Sequence, residues 1–181
     1  KPGSYSVSGF STLINALASS GGIKRSGSLR SIQVKRHGKL VTTFDLYELL
    51  LKGDDSANIY LRQGDLIFVP PVGSTIGIAG EILRPAIYEV AKEKTVEQIL
   101  ALAGGLLPTA NKQNAQIERV SRRGTYTLMQ ANFEQKGKSL EIKNGDLIRV
   151  FPVLNKRDDV ILLSGHVLTP GGFQWFEGMK V

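Results

Sequence analysis

The stretch Thr12-Leu-Ile-Asn-Ala-Leu-Ala-Ser-Ser-Gly21-Gly22 returns 83 positions later, without a gap, as Thr95-Val-Glu-Gln-Ile-Leu-Ala-Leu-Ala-Gly104-Gly105. A repeat of this length is a small domain and not one turn of a solenoid, so the chain must build the same unit more than once. Flanking motifs keep the same step. Pro2-Gly-Ser-Tyr5-Ser-Val7 matches Pro85-Ala-Ile-Tyr88-Glu-Val90 and, 85 positions further on, Pro170-Gly-Gly-Phe173-Gln-Trp175. Leu61-Arg-Gln-Gly64-Asp65-Leu66-Ile67-Phe68-Val69 pairs with Ile142-Lys-Asn-Gly145-Asp146-Leu147-Ile148-Arg149-Val150, and Ile78-Ala-Gly80-Glu-Ile82 pairs with Leu163-Ser-Gly165-His-Val167. The expected organisation is a first unit over residues 1–72 that lacks its leading strand, a complete second unit over 73–153, and a linker with the first hairpin of a truncated third over 154–181.

Within each full copy the repeated stretch predicts one short helix. Thr95 and Gln98 stand in the S/T-x-x-E/Q spacing of a capping box, which closes a helix N-terminus. Val96, Ile99, Leu100 and Ala103 form a single apolar stripe, and Gly104 sits where a left-handed residue ends the helix. Two turns do not hold together alone in water, so the stripe must bury against a sheet, where Val96, Ile99 and Leu100 supply about 5–8 kcal/mol. The first copy is weaker, with Asn15 in place of Gln98 and Ser20 in place of Ala103.

The remaining segments read mostly as strands. Residues 2–7 are expected to be the second arm of a hairpin. Residues 32–35 and 40–44 alternate around an Arg36-His37-Gly38-Lys39 turn, and residues 115–120 and 126–129 do so around Arg122-Arg123-Gly124. Asp45 caps a short helix over 46–51 that ends near Gly53, and residues 130–134 are expected to be helical. Residues 66–69, 76–82, 87–90 and 146–150 complete the strands, and 155–159 make a short charged linker. Strand, turn, strand, one helix and then further strands, with the helix on one face of a mixed sheet, is an α+β layout of the β-grasp kind, present here in tandem.

Charge narrows the function classes. The chain carries 23 Lys and Arg against 16 Asp and Glu, a net +7. Residues 23–44 hold six of the basic groups (Lys24, Arg25, Arg30, Lys35, Arg36, Lys39) plus His37 and no acid. One reading is a solvated hairpin face. The other is an anion or acidic-glycan site at the two basic hairpin tips, made of Lys35, Arg36, His37 and Lys39 on one and Arg119, Arg122 and Arg123 on the other. Nucleic acid is the weaker partner, because aromatics do not alternate with the basic residues.

No enzyme constellation emerges. His37 and His166 are the only histidines and occupy unmatched positions. Gly137-Lys138-Ser139 imitates the end of a phosphate loop, but Asn132 stands where the leading glycine belongs. Asp65 and Asp146 follow glycine, as a turn before a strand requires, so they are assigned to turn chemistry. Tyr5, Tyr88 and Phe173 share one position and are expected to be core anchors. The chain has no cysteine, hence no disulfide or thiolate metal site, and no cofactor or metal is expected. Its longest apolar runs fall short of the roughly 18 residues of a membrane span. The opening on Lys1 and the broken repeat suggest a segment of something longer.

Pro-Gly-x-Tyr-x-Val, Thr-Leu-x-x-Ala-Leu-Ala-x-x-Gly-Gly, Gly-Asp-x-Ile-x-Val-Pro and Gly-x-Val-x-x-Pro-Gly, in this order and repeated, resemble the soluble-ligand-binding β-grasp (SLBB) domains of bacterial polysaccharide export proteins. Ala86 stands where the family prefers glycine, and Ser8-Gly9 shortens the loop into the first helix. The resemblance implies tandem β-grasp modules in the periplasm, possessing no catalytic residues and associated with the outer membrane in a capsule or exopolysaccharide secretion apparatus. It implies stacking with copies of themselves or with other export proteins, and no single binding residue carries over. The family's signature export domain and pore-forming amphipathic helix are not in this stretch, so the segment is not expected to be the channel itself.

Overall fold

The computed structural model describes residues 2–121, 123–153 and 159–178. It is an α+β molecule with three α-helices among the described residues, α1 (Leu13–Ser19), α2 (Leu46–Lys52) and α3 (Val96–Leu102). Its strands are β1 (Ile32–Arg36), β2 (Lys39–Phe44), β3 (Leu66–Phe68), β4 (Thr75–Gly80), β5 (Ala86–Glu89), β6 (Ala110–Val120), β7 (Tyr126–Ala131), β8 (Leu147–Pro152), β9 (Val160–Leu163) and β10 (Gly171–Gln174). They form an amino-terminal sheet of order β2-β1-β3, a central sheet of order β5-β4-β8-β6-β7, and the hairpin β9–β10.

The repeat is visible in the strand order. β2-β1-β3 recurs as β7-β6-β8, and the pairing Val34↔Ile67 recurs as Ile117↔Ile148. In the central sheet the hairpin β4–β5 is added to β8 through the parallel pair β4·β8. Alternation explains why each sheet buries one face: Ile76 and Ile78 of β4, Ile148 and Val150 of β8, and Ala115 and Ile117 of β6 are all buried.

Against that face lies α3, whose stripe Val96, Ile99, Leu100 and Ala103 is buried in the same cluster. The Thr95 hydroxyl accepts the Gln98 N–H at 3.5 Å and the Gln98 side chain accepts the Thr95 N–H at 3.2 Å, so the capping box is closed at both ends. Gly104 has φ +83°, the left-handed stop expected of it. In the amino-terminal sheet, Leu13 of α1 joins Ile32, Val34 and Phe44 in a smaller core. Asp45 caps α2 through the Tyr47 N–H, and Gly53 ends it at φ +72°.

Three local expectations change. Residues 2–8 form no strand, because a hairpin arm needs a ladder partner and no described strand lies beside them. Residues 130–134 are not helical: β7 continues to Ala131, held opposite Ala115, and a turn at Asn132 leads into a 3₁₀ helix, Lys136–Ser139. Of the three expected core anchors only Tyr88 is buried, while Tyr5 and Phe173 are 46% and 40% exposed. Most of the expected charged linker, residues 154–158, lies outside the described residues.

Candidate functional site

The basic residues of interest sit on two equivalent hairpins. β1–β2 carries Lys35, Arg36, His37 and Lys39, and β6–β7 carries Arg119 and Arg123; Arg122 lies outside the described residues. His37 and Gly38 adopt φ of +48° and +77°, a two-residue turn whose twist matches the flanking strands and brings Arg36 opposite Lys39.

Arg36 and Arg119 occupy matching positions and have the same partner. Arg36 donates from Nε and Nη2 to the two oxygens of Asp65, each at 2.7 Å. Arg119 does the same to Asp146 at 2.8 and 2.6 Å. Each carboxylate also accepts a backbone N–H three residues upstream, from Arg62 or Lys143. The Gly-Asp step is therefore both a turn and a clamp that ties the strand after it to the basic hairpin. The Arg36 guanidinium bond outweighs burial, with help from the Arg62 N–H, and holds the Asp65 carboxyl below the ordinary carboxylate range.

A guanidinium locked fork-to-fork on a buried carboxylate is committed to the fold, since gripping an external anion would strand that carboxylate. Asp65→Ala and Asp146→Ala are each expected to cost about 2–3 kcal/mol in urea unfolding, whereas Lys39→Ala and Arg123→Ala stay within about 0.5 kcal/mol. His37, Lys39 and Arg123 are exposed, and Lys35 Nζ sits 4.9 Å from the centroid of the Phe68 ring. Each tip thus presents exposed charge beside an arginine held in place.

Arg30, in the middle of the basic stretch, does something that spacing along the sequence does not reveal. Arg30 is 7% exposed and bridges the two sheets. Its Nε donates to Asp45 at 3.0 Å, and its Nη1 donates to Glu93 at 2.7 Å and to the Glu89 carbonyl at 3.2 Å. The guanidinium lies over the Tyr47 ring at 4.9 Å, and Tyr47 meets Tyr88 edge to face at 6.2 Å. Glu89 completes the junction: its carboxylate accepts the N–H groups of Leu29 and Gly73 at 2.8 and 2.9 Å, and its own N–H donates to the Tyr47 hydroxyl. Burial pushes the Glu89 carboxyl up, but those amides and the Ser28 hydroxyl bring it below its ordinary value. Glu93 is likewise pushed up by burial and brought below its ordinary value chiefly by Arg30. No short-range signal announces this cluster, because the acids stand 15 to 63 positions from Arg30.

Among the described residues no three His, Asp or Glu side chains converge as a metal site, and no buried side-chain polar atom lacks a hydrogen-bond partner. An open groove of about 340 Å³ beside α3 is lined by Glu97, Lys112 and Lys138 with apolar neighbours, apart from both hairpin tips.

With the repeated helix, the Gly-Asp clamp and the parallel β4·β8 pair in place, the family model for the SLBB domain matches residues 1–45 and 75–130, more than half of the chain. The chain belongs to the SLBB domain family. The two matched blocks hold the repeated helices α1 and α3 and the hairpins that follow them. β3 and β8, with the clamp residues Asp65 and Asp146 that precede them, lie outside the matched blocks.

Relatives of this SLBB chain include the EPS I polysaccharide export outer membrane protein EpsA of Ralstonia solanacearum, 34% identical over 103 residues. That alignment covers 55% of this chain and 27% of the relative. The protein of the same description from Ralstonia nicotianae (strain ATCC BAA-1114 / GMI1000) is 30% identical over 161 residues, 80% of this chain and 42% of the relative. The SLBB chain thus spans less than half the length of these curated relatives. No helix among the described residues is long and apolar enough to cross a membrane.

Proposed function

We propose that this chain is a non-enzymatic scaffold of a polysaccharide export system, made of tandem β-grasp SLBB units over residues 1–72 and 73–153 and the opening hairpin of a third over 154–181. It works in the periplasm of a bacterium, beneath or beside the outer membrane, and assembles with copies of itself or with other export proteins. The observation that carries this reading is the repetition of one sheet order and one capped helix, joined through the buried Arg30 cluster, in a chain whose relatives are named as polysaccharide export outer membrane proteins. The buried Arg30, Glu89 and Asp146 all hold that architecture together, which suits a scaffold. The test is genetic: removing this segment from the host protein should leave capsule or exopolysaccharide inside the envelope and strip it from the medium. Undiminished export would overturn the proposal.

A second reading is supported by the exposed Lys39 and Arg123 beside the clamped arginines. Here the tips hold an acidic polysaccharide through screened, salt-sensitive contacts. Lys39→Ala with Arg123→Ala should then weaken binding to an acidic glycan about tenfold at low salt while leaving the unfolding midpoint unchanged. Equal binding by the double variant would remove this reading and leave the scaffold intact.

A further inference from the structure

The two copies of the unit differ in one place that their common fold does not demand. In the first unit the chain passes from Phe44, the last residue of β2, to Ile59, whose carbonyl accepts the Leu13 N–H of α1 at 3.0 Å. Residues 45–58 lie between and include α2, whose Leu46 and Leu49 pack in the core together with Ile14 and Leu17 of α1. In the second unit the matching passage runs from Ala131, the last residue of β7, to Leu140, whose carbonyl accepts the Val96 N–H of α3 at 3.0 Å. Residues 132–139 lie between, six fewer, and carry only the 3₁₀ helix. With that shorter segment, the groove of about 340 Å³ opens between α3, the start of β6 and the 3₁₀ helix.

The floor of this groove repeats and its rim does not. Leu100, Ala101 and Leu106 stand where the first unit has Leu17, Ala18 and Ile23, so these positions are apolar in both copies. Glu97, Lys112 and Lys138 stand where the first unit has Ile14, Leu29 and Ala57. The backbone fixes the match at Lys112: its carbonyl accepts the Phe133 N–H at 2.6 Å, as the Leu29 carbonyl accepts the Leu46 N–H at 2.8 Å. Lys138 and Ala57 each stand two residues before the carbonyl that receives the helix, at Leu140 and Ile59. Ile14, Leu29 and Ala57 pack against apolar cores, so an uncharged residue serves the fold at all three places.

The rim charges are also uncommitted. Arg30, Arg36 and Arg119 are each held on a carboxylate, whereas among the described residues Glu97, Lys112 and Lys138 make no ion pair and no side-chain hydrogen bond. The volume falls at the small end of the roughly 300–1,000 Å³ of small-molecule sites, which are mostly apolar with a few polar groups that set orientation. Two ammonium groups call for a negative charge, and the apolar floor calls for a body with an apolar face. Glu97 disfavours a compact, multiply charged anion and suits a ligand that brings hydroxyl donors with its charge. A sugar bearing a carboxylate combines all three properties.

We propose that the groove beside α3 binds a carboxylated sugar unit of an acidic polysaccharide. Its carboxylate sits between Lys112 and Lys138, the C–H face of its ring lies on Ala101 and Leu106, and a hydroxyl donates to Glu97. This gives the export function a glycan site and rests on that function for the source of the glycan. The site is distinct from the hairpin tips, since no tip residue lines the groove.

Titration of the full chain with a short oligogalacturonate, followed by amide chemical shifts and calorimetry, tests the site. Saturable shifts at Ala101, Leu106 and Lys112 are expected, with binding that weakens as salt rises and drops about tenfold for the methyl-esterified oligomer. Lys112→Leu with Lys138→Ala, which installs the first unit's residues, should lower affinity about tenfold with an unchanged urea midpoint, and Lys112→Gln with Lys138→Gln should do the same without adding apolar surface. Lys39→Ala with Arg123→Ala should leave this binding as it was. Equal affinity in the groove variants overturns the site, and loss in the tip variant instead assigns the glycan to the tips. Inorganic phosphate that competes as well as the oligomer overturns the sugar assignment. No binding overturns the proposal and leaves the export scaffold to its own genetic test, while undiminished export in the presence of groove binding would overturn the scaffold alone.

Discussion

Replacing Arg30 with alanine lowers the stability of the chain by about 3–5 kcal/mol, the cost of removing one partner from a buried ionic cluster. Asp45 and Glu93 lose a guanidinium 2.9 and 2.7 Å away, and the Glu89 carbonyl loses a donor, in a place that water reaches poorly. A lysine replacement recovers little, because one ammonium cannot address three acceptors in different directions and stack on Tyr47. The measurement is the urea midpoint at neutral pH.

The effect carries a signature in acid. Glu89 and Glu93 titrate below their ordinary value in the folded chain, so the stability they contribute is fully present above the unfolded carboxylate value of about 4.3 and is lost as the pH falls through their folded values. Without Arg30, burial dominates at Glu93 and its carboxyl shifts up, so the variant is penalised at pH 7 and relieved on protonation. The gap between wild type and Arg30→Ala should therefore narrow below about pH 4. A gap that stays constant from pH 7 to pH 3 would show that Arg30 acts by packing alone.

Gly80→Ala should cost about 3–5 kcal/mol, combining the strain of a left-handed residue with the displacement of a neighbouring strand. The added methyl collides with the Val150 backbone, so β4 cannot keep its place on β8. Gly145→Ala provides the control: its φ is +85°, but nothing lies within 4 Å of its Cβ position, and the loss there is about 1 kcal/mol. Equal midpoints for the two variants would mean that the parallel pair contributes nothing beyond the glycine's own conformational freedom. Amide exchange of β8 would locate the damage, since Glu81 N–H to Val150 is among the bonds lost.

What the sequence made legible was whatever is written over short distances. The capping box at Thr95, the Gly104 stop, the Asp45 cap and the His37-Gly38 turn all involve residues within a few positions of each other, and all stand where spacing placed them. The repeat added the equivalence of the two hairpins. The electrostatics was not legible, because a window of residues 23–44 without an acid looks like a positive surface, while Asp45, Asp65 and Glu93 arrive from outside it to neutralise Arg30 and Arg36. Residues 130–134 were misread for a related reason: Ala131 is drawn into β7 by its pairing with Ala115, a tertiary demand that outweighs local propensity. At Arg119 the clamp on Asp146 was equally hidden, although the recurrence of Arg at 36 and 119 together with Asp at 65 and 146 is the covert signal that two charges keep company.

Sedimentation velocity of the full chain across a hundredfold range of concentration tests the scaffold most directly. Association of 19.7 kDa subunits into larger species with rising concentration, reversed on dilution, is the predicted behaviour. A single 19.7 kDa species at every concentration would contradict it.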